Sequence, residues 1–197
     1  MEITRGIIGG AKKIVLYGPE GIGKSTFAAS FPDPLFIDTE GSTKEMDVAR
    51  LPAPSSWTMI KEEVRYVIQH PDSCRTLVVD TADWAEKMAI QSVLDEHSKD
   101  GLEGFGYGAG YRYVFERFCE LLNLLNDVVE RGINVVLTAH ATLRKFEQPD
   151  ERGAYDRYTM KLIDSPKVSV SAAVKEWADM VLFANYKTIV ITDQKTK

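Results

Sequence analysis

The chain has 197 residues, which is enough to bury a substantial core and is near the upper end of the usual size of one compact domain. Its composition, 44% hydrophobic and 27% charged, excludes a disordered chain. The net charge of −5 excludes a protein that coats nucleic acid with its whole surface, so any such contact must be local. No window approaches the roughly 20 apolar residues of a membrane span, and we expect a cytosolic protein without membrane contact.

Short apolar runs alternate with longer amphipathic segments, which is typical of βαβ units around a parallel sheet. The runs predict strands at 13–17, 34–38, 76–80, 134–138, 180–184 and 188–192, the last two forming an antiparallel hairpin. Apolar spacings of three and four predict helices at 57–68 and 114–128, with shorter helices at 24–30, 84–94 and 172–177. We therefore predict one α/β domain over 1–197, with a mostly parallel central sheet, helices on both faces and a C-terminal antiparallel hairpin.

Two long segments match no predicted element. Residues 98–111 carry five glycines interleaved with Phe105, Tyr107 and Tyr111, which predicts a flexible loop with aromatic side chains. Residues 143–166 are polar and irregular. Loops of this length are uncommon in a compact domain unless they have a function.

A phosphate-binding motif follows the first predicted strand. Residues 18–26, GPEGIGKST, satisfy G-x-x-x-x-G-K-[ST] and lie between a strand and a helix, as the mechanism requires. The glycines let backbone N–H groups point at phosphate oxygens, Lys24 neutralises the β- and γ-phosphates, and the Ser25 hydroxyl is a hard ligand for Mg²⁺. We predict ATP and Mg²⁺ as ligands. The predicted nucleotide contacts are Gly18, Pro19, Glu20, Gly21, Ile22, Gly23, Lys24, Ser25 and Thr26.

A carboxylate that organises magnesium is expected at the end of a neighbouring strand, and Asp80 ends the apolar run TLVVD. This residue is the Walker B candidate. The alternative is an ordinary aspartate that ends a strand and caps the helix that starts near Asp83. The run is apolar on both faces, which favours the functional interpretation.

Hydrolysis also needs a group that orients or deprotonates water. Glu40 lies two residues past the second predicted strand, in IDTEG, and is the catalytic candidate together with Lys24. Asp38 at the end of the same strand competes for the role, and Glu40 could instead be a solvated turn residue.

The order of these motifs resembles a known family. Walker A, then IDTEG with its glutamate, then the Walker B strand resembles the RecA-like recombinase core and differs from AAA+ proteins, in which the glutamate directly follows the Walker B aspartate. YGPEGIGKST, TAHA, YDRY and EWAD are similar to phage ATP-binding proteins of the RecA-like single-strand annealing (Sak-type) group. The resemblance covers nearly the whole chain. More strands usually follow in that group, which leaves open that C-terminal strands are missing here.

The resemblance implies roles for individual residues. It implies nucleotide contacts from 18–26, catalysis by Glu40, metal support from Ser25 and Asp80, and a γ-phosphate sensor at His140. His140 departs from the family, since RecA has an amide side chain there. An imidazole can also donate to a phosphate, but a buried histidine bonded to backbone is an equal alternative. Arg144, Lys145 or Arg157 could complete the site of a neighbouring subunit in a homo-oligomeric ring or filament.

The resemblance also implies single-stranded DNA as a partner, bound by the two long loops. Basic residues exceed acidic ones by only one over 142–161, so this is not a basic patch. Aromatic side chains near a few cations suffice for single strands. The candidate contacts with DNA or a second subunit are Phe105, Tyr107, Arg144, Lys145, Tyr155, Arg157 and Tyr158. Alternatively, the aromatic residues pack on the body of the protein or on a neighbouring subunit.

Three functions fit these observations to different degrees. The first is an ATPase acting on single-stranded DNA in phage recombination, by annealing or strand exchange. It would work in the cytoplasm of an infected or prophage-carrying bacterium, with a phage single-strand binding protein as a further partner. The second is an ATP-driven switch or assembly factor of helicase-loader type, whose loops bind protein. The third, a small-molecule kinase, is disfavoured because no Arg-rich lid follows the predicted sheet.

Overall fold

The structure is a computed structural model that describes residues 5–6, 9–147 and 153–187. Its strands are β1 Lys13–Gly18, β2 Pro34–Asp38, β3 Ala49–Arg50, β4 Thr76–Asp80, β5 Asn134–Glu147, β6 Ala154–Met160 and β7 Met180–Phe183. Its helices are α1 Lys24–Ala29, α2 Trp57–Gln69, α3 Ala82–His97, α4 Ala109–Glu130 and α5 Val170–Trp177. Short 3₁₀ turns cover Pro71–Ser73 and Leu102–Phe105.

The strands form one sheet in the order β3-β2-β4-β5-β1-β7, with every neighbouring pair parallel. β6 pairs antiparallel with the outer half of β5, from Ala141 to Glu147. The predicted α/β fold with a mostly parallel sheet is confirmed. Because β1, β2 and β4 run in the same direction, their carboxyl ends lie along one edge of the sheet, where ligands bind in open α/β folds.

Side chains alternate between the two faces of the sheet, and each face buries its own core. Val15, Ile37 and Val79 belong to a large cluster that includes residues of α2, α3, α4 and α5. Ile14, Phe36 and Val78 belong to a smaller cluster with Ala28 of α1. Helices therefore lie on both faces, as predicted, and all five residues of β4 are buried between them.

The prediction for 143–166 was wrong, since this segment contains most of the outer half of β5 and all of β6. Its strands combine charged residues with Thr, Phe and Tyr, which favour extended backbone, and most of these residues are exposed. The glycine-rich loop is also shorter than predicted, because α4 begins at Ala109 and the loop contains the 3₁₀ turn Leu102–Phe105.

The first strand of the predicted C-terminal hairpin is present as β7, which pairs parallel with β1. Its predicted partner, 188–192, lies outside the described residues. None of the described helices combines the length and apolar character needed to cross a membrane.

Candidate nucleotide site

The predicted phosphate-binding loop connects β1 to α1 at the carboxyl edge of the sheet. Gly21 and Gly23 have φ angles of 71° and 94°, in the left-handed region that favours glycine. Gly18 is constrained differently, because a Cβ at this position would lie 2.4 Å from the carbonyl oxygen of Ala184. The glycines of the motif are therefore required by the backbone path and by its contact with the segment that follows β7.

Lys24, the first residue of α1, is 6% exposed. Its ammonium donates to the carbonyl oxygens of Gly18 at 3.2 Å and Pro19 at 2.9 Å. Burial lowers the pKa of Lys24, while the nearby carboxylates of Asp80 and Asp83 act in the opposite direction. Lys24 thus places a buried ammonium beside the phosphate-binding loop.

Asp80 is fully buried at the end of β4 and accepts hydrogen bonds from three hydroxyl groups. Ser25 Oγ donates to its Oδ2 at 2.6 Å, and Ser42 Oγ donates to the same oxygen at 3.1 Å. Thr138 Oγ1 of β5 donates to Oδ1. Neither Ser42 nor Thr138 was identified from the sequence. The N-cap residue of α3 is Thr81, whose side chain makes no capping bond, so Asp80 is not the cap of this helix.

Asp38, the competitor of Glu40, is occupied by its own loop. Its carboxylate accepts the backbone N–H groups of Gly41, Ser42 and Thr43 at 2.7, 3.1 and 3.0 Å, and the Thr43 hydroxyl at 2.6 Å. Burial acts to raise the pKa of Asp38, but these bonds outweigh it and leave the pKa below its usual value. An ionised carboxylate with four donors is suited to holding a loop rather than to activating water.

A second charged residue holds the loop after β2 from the other side. Arg50 of β3 donates to the carbonyl oxygens of Thr43 and Met46, both at 2.7 Å. Its Nε also donates to the Thr43 hydroxyl at 3.2 Å. The loop that carries Glu40 is therefore tied to both β2 and β3. This role of Arg50 was not predicted from the sequence.

Glu40 and His140 face each other across the site. The distance from Glu40 Oε2 to His140 Nε2 is 3.9 Å, and 28% of the Glu40 side chain is exposed. Burial raises the pKa of Glu40, and His140 partly counteracts this. His140 Nδ1 lies 2.9 Å from Oδ2 of Asp83, and its backbone N–H donates to Oδ1 of Asp83 at 2.9 Å. His140 is thus buried and bonded to a side chain, Asp83, which the sequence did not identify as part of the site.

These groups surround a cavity of about 390 Å³. Eight of the residues predicted from the sequence line it together, among them Lys24, Ser25, Glu40 and His140. Asp80 is hydrogen-bonded to two of the lining residues, Ser25 and Ser42. The complete lining is Glu20, Gly21, Gly23, Lys24, Ser25, Thr26, Glu40, Ser42, Met46, Thr81 and His140. Their roles in binding and catalysis remain predictions.

The candidate DNA contacts lie outside this cavity, in two places. Tyr107 is fully exposed, and Phe105 packs against His97 and Tyr113 with ring centroids 5.2 and 5.6 Å away. Both line a groove of about 660 Å³, here called the aromatic groove, between residues of 105–112 and 165–168. The sequence did not indicate that the end of the second long segment would meet the first.

The remaining candidates lie on the β5–β6 hairpin. Tyr155 packs against Phe146 with 5.6 Å between ring centroids and the rings tilted by 60°. The Arg157 guanidinium lies 5.3 Å from the centre of the Phe146 ring. Lys145 is exposed opposite Asp156.

Two of the hairpin candidates are engaged within the chain. Arg144 donates to the carbonyl oxygens of Asp164 at 2.6 Å and Leu162 at 3.3 Å. Tyr158 packs on Phe183 with 5.1 Å between ring centroids. These two side chains therefore have structural contacts that compete with a role in binding a partner.

Comparison with known proteins agrees with the fold and the motif. A family model described as an AAA domain matches residues 11–197, which includes every described element. A comparison with curated proteins gave no match. Because the family model covers nearly all of the sequence, the chain belongs to this AAA-domain family of P-loop proteins.

Proposed function

We propose that the protein binds ATP with Mg²⁺ and hydrolyses the terminal phosphate. The observation that carries this proposal is the hydrogen bond between Ser25 and Asp80, beside a cavity lined by Lys24 and Glu40. The loop amides and Lys24 would hold the phosphates. Glu40, the carboxylate closest to solvent among these groups, would orient or deprotonate the attacking water. The membership of the AAA-domain family supports the same activity.

The donor groups fit magnesium. Among the described residues, no cluster of three or more His, Cys, Asp or Glu side chains could enclose a metal ion. Mg²⁺ does not need such a cluster, since it keeps several waters and binds through one or two protein oxygens together with substrate phosphates. Ser25 and Asp80 would provide those oxygens, and the ion would neutralise charge on the phosphates.

The direct test is an ATPase assay of the purified protein with and without Mg²⁺, beside Lys24→Ala. We expect phosphate release that requires Mg²⁺ and is lost in the variant. Activity that is equal in Lys24→Ala would show that it arises elsewhere or from a contaminant.

We further propose that the ATPase is RecA-like and acts on single-stranded DNA in phage recombination. Two observations support the RecA-like part. Glu40 follows β2, and the residue after Asp80 is Thr81 rather than a glutamate. The buried half of β5 ends at His140, and the strand then continues into the exposed β5–β6 hairpin. RecA-like proteins have a DNA-binding loop at this point of the chain.

The aromatic groove supports the DNA part. It combines the exposed ring of Tyr107 with the exposed cations Arg112 and Lys167, and both long segments of the sequence contribute to it. Bases of any type can stack on such a ring, while nearby cations contact the backbone. This arrangement requires no basic surface overall, which agrees with the net charge of −5. We propose in addition that the protein works as a homo-oligomer.

Binding is tested by gel shift with a labelled oligonucleotide at low salt, with and without ATP and Mg²⁺. Tyr107→Ala is the test variant, and Tyr66→Ala, an exposed tyrosine of α2, is the matched control. One stacked base contributes about 1–3 kcal/mol, so we expect roughly 5- to 100-fold weaker binding for Tyr107→Ala alone. Equal binding by both variants would remove the groove from the proposal.

A protein-binding switch of helicase-loader type is the second candidate. It is favoured because Arg144 and Tyr158, two of the candidate DNA-binding residues, already bond to or pack on other residues of the same chain. ATP hydrolysis with no DNA complex at low salt, combined with co-purification of a replication protein that depends on ATP, would select this function.

A further inference from the structure

The starting observation is the position of the His140 ring between two carboxylates. Asp83 of α3 holds it on one side, with 2.9 Å between Nδ1 and Oδ2. Glu40 lies on the other side, 3.9 Å from Nε2. Asp83 also accepts the backbone N–H of His140 through its second oxygen at 2.9 Å. This two-point contact fixes both the position of the backbone and the rotation of the ring.

The arrangement determines which protons the ring carries. A neutral imidazole that donates from Nδ1 to Asp83 has a lone pair on Nε2, which would face the Glu40 carboxylate. A doubly protonated ring has an N–H on each side, so that it donates to Asp83 and forms an ion pair with Glu40 at 3.9 Å. The electrostatic surroundings favour this state, because Asp83 is 4% exposed and its bonds to His140 help to keep its pKa low in spite of burial.

The charged groups that face His140 come from three elements. Asp83 on α3 raises the pKa of His140 through its hydrogen bond, and Glu40 after β2 raises it further. Burial and Lys24 of α1 act in the opposite direction, and the net result is a raised pKa. Glu86, one turn further along α3, accepts the backbone N–H of Ile163 and is not a partner of the ring.

We propose that Asp83 is a positioning residue that holds His140 as an imidazolium whose Nε2–H points at Glu40 and the nucleotide cavity. This inference rests on the proposed ATPase function and deepens it. His140 then supplies a second cation to the cavity lined by Lys24. Its single free N–H can serve either Glu40 or a terminal phosphate oxygen. Phosphate binding would therefore withdraw this N–H from Glu40 and leave the carboxylate free to act on water.

The protonation state is tested without nucleotide. The chain has three histidines, so ¹⁵N spectra of the imidazole rings are simple, and the His140 signals are identified by their loss in His140→Gln. We expect a doubly protonated ring that titrates above the ordinary histidine value of 6.5. In Asp83→Asn we expect titration at lower pH and a neutral ring protonated on Nε2, because the amide can donate to Nδ1. A neutral His140 in the wild type below pH 6.5, or an unchanged titration in Asp83→Asn, would overturn the proposal.

The kinetic test separates positioning from folding. Asp83→Asn should lower kcat roughly 10- to 100-fold, as loss of an orienting partner does at other sites, with a smaller change in ATP affinity. The alkaline limb of its pH–rate profile should move to lower pH. Asp95→Asn, an exposed carboxylate on the same helix, is the matched control and should leave both unchanged. An Asp83→Asn enzyme with wild-type kcat and pH profile contradicts the proposal.

The two tests also distinguish failures. If the wild type has no ATPase activity but the ring is an imidazolium that depends on Asp83, the proposed function fails and the assignment of Asp83 stands. If ATP is hydrolysed and the ring is neutral, the assignment fails alone. The wild-type spectra alone show whether the His140 ring is neutral. The proposal can therefore be disproved even if the Asp83→Asn variant is too unstable to study.

Discussion

Ser25 and Asp80, which are 55 positions apart in the sequence, are joined by a hydrogen bond of 2.6 Å between hydroxyl and carboxylate. Ser25 follows the loop after β1, and Asp80 ends β4, so β5 lies between their strands in the sheet. Thr138 of β5 donates to the other oxygen of the same carboxylate. The buried Asp80 side chain thus connects β4 to α1 and to the adjacent strand β5 beside the candidate nucleotide site.

Asp80→Asn should weaken both the fold and the use of metal. The amide nitrogen would face a hydroxyl donor and leave at least one buried hydrogen bond unmade, at a cost of about 1–3 kcal/mol in the free energy of unfolding. The Mg²⁺ dependence of ATP hydrolysis should shift to higher concentration. Urea denaturation and a Mg²⁺ titration measure these effects, with the exposed Asp127→Asn as control. A variant as stable and active as the wild type would contradict this role.

Lys24→Ala should lose nucleotide affinity. Hydrogen bonds to charged groups contribute up to about 3 kcal/mol, which corresponds to roughly 100-fold in the dissociation constant. Fluorescent ATP analogues in Mg²⁺ buffer provide the measurement, and the circular dichroism spectrum checks that the variant folds. Undiminished affinity in a folded variant would mean that the nucleotide binds outside this cavity.

Glu40→Gln should keep ATP affinity and lose turnover. The amide preserves the shape of the side chain but cannot accept a proton, and loss of a general base typically lowers kcat by about 10²- to 10⁴-fold. Single-turnover assays separate this effect from binding. Equal activity in Glu40→Gln would move the role to Asp38 or elsewhere, whereas the four donors around Asp38 lead us to expect that Asp38→Asn mainly destabilises the loop.

The stability of the protein should fall as pH rises from about 5 to 8, because of Glu63. This residue of α2 is 7% exposed, both of its carboxylate oxygens lack a hydrogen-bond partner, and burial raises its pKa to about 7. The unfolded chain loses this proton near the ordinary value of 4.5, while the folded chain keeps it until pH 7. Between those values ionisation therefore favours unfolding, by at most about 3 kcal/mol.

The matched pair for this prediction is Glu63→Gln and its exposed neighbour Glu62→Gln. Removal of the titrating group should make Glu63→Gln more stable than the wild type at pH 8, with a smaller difference at pH 5. Urea denaturation at the two pH values gives both quantities. Similar pH dependence in wild type and Glu63→Gln would show that the Glu63 carboxyl finds a partner or water.

The sequence predicted the parts of the site that are local along the chain. The strand, the glycine loop, Lys24 and Ser25 are contiguous, and Asp80 and Glu40 directly follow apolar strands, so their meeting at one edge follows from a parallel sheet. Ser42, Asp83 and Thr138 could not be found this way. Each acts through a partner on a different element, and these pairings depend on the strand order, which periodicity does not determine.

The fold was predictable to the same extent. Buried parallel strands appear as apolar runs, and the runs at 34–38 and 76–80 match β2 and β4 residue for residue. The β5–β6 hairpin was missed because most of its residues are exposed. Their polar side chains form no apolar run that would predict a strand. The two-residue strand β3 contains no apolar run at all.

Gly18 has a consequence for how motifs are interpreted. Motif rules attribute this glycine to the turn that receives phosphate, but here the carbonyl of Ala184 already occupies the space that any larger residue would need. The backbone N–H of Ala184 is also bonded to the carbonyl of Tyr17 at 2.9 Å, which keeps that segment in place. Phosphate binding and the packing of the segment after β7 thus each require a glycine at position 18. The domain would need this glycine to fold even if it bound no nucleotide.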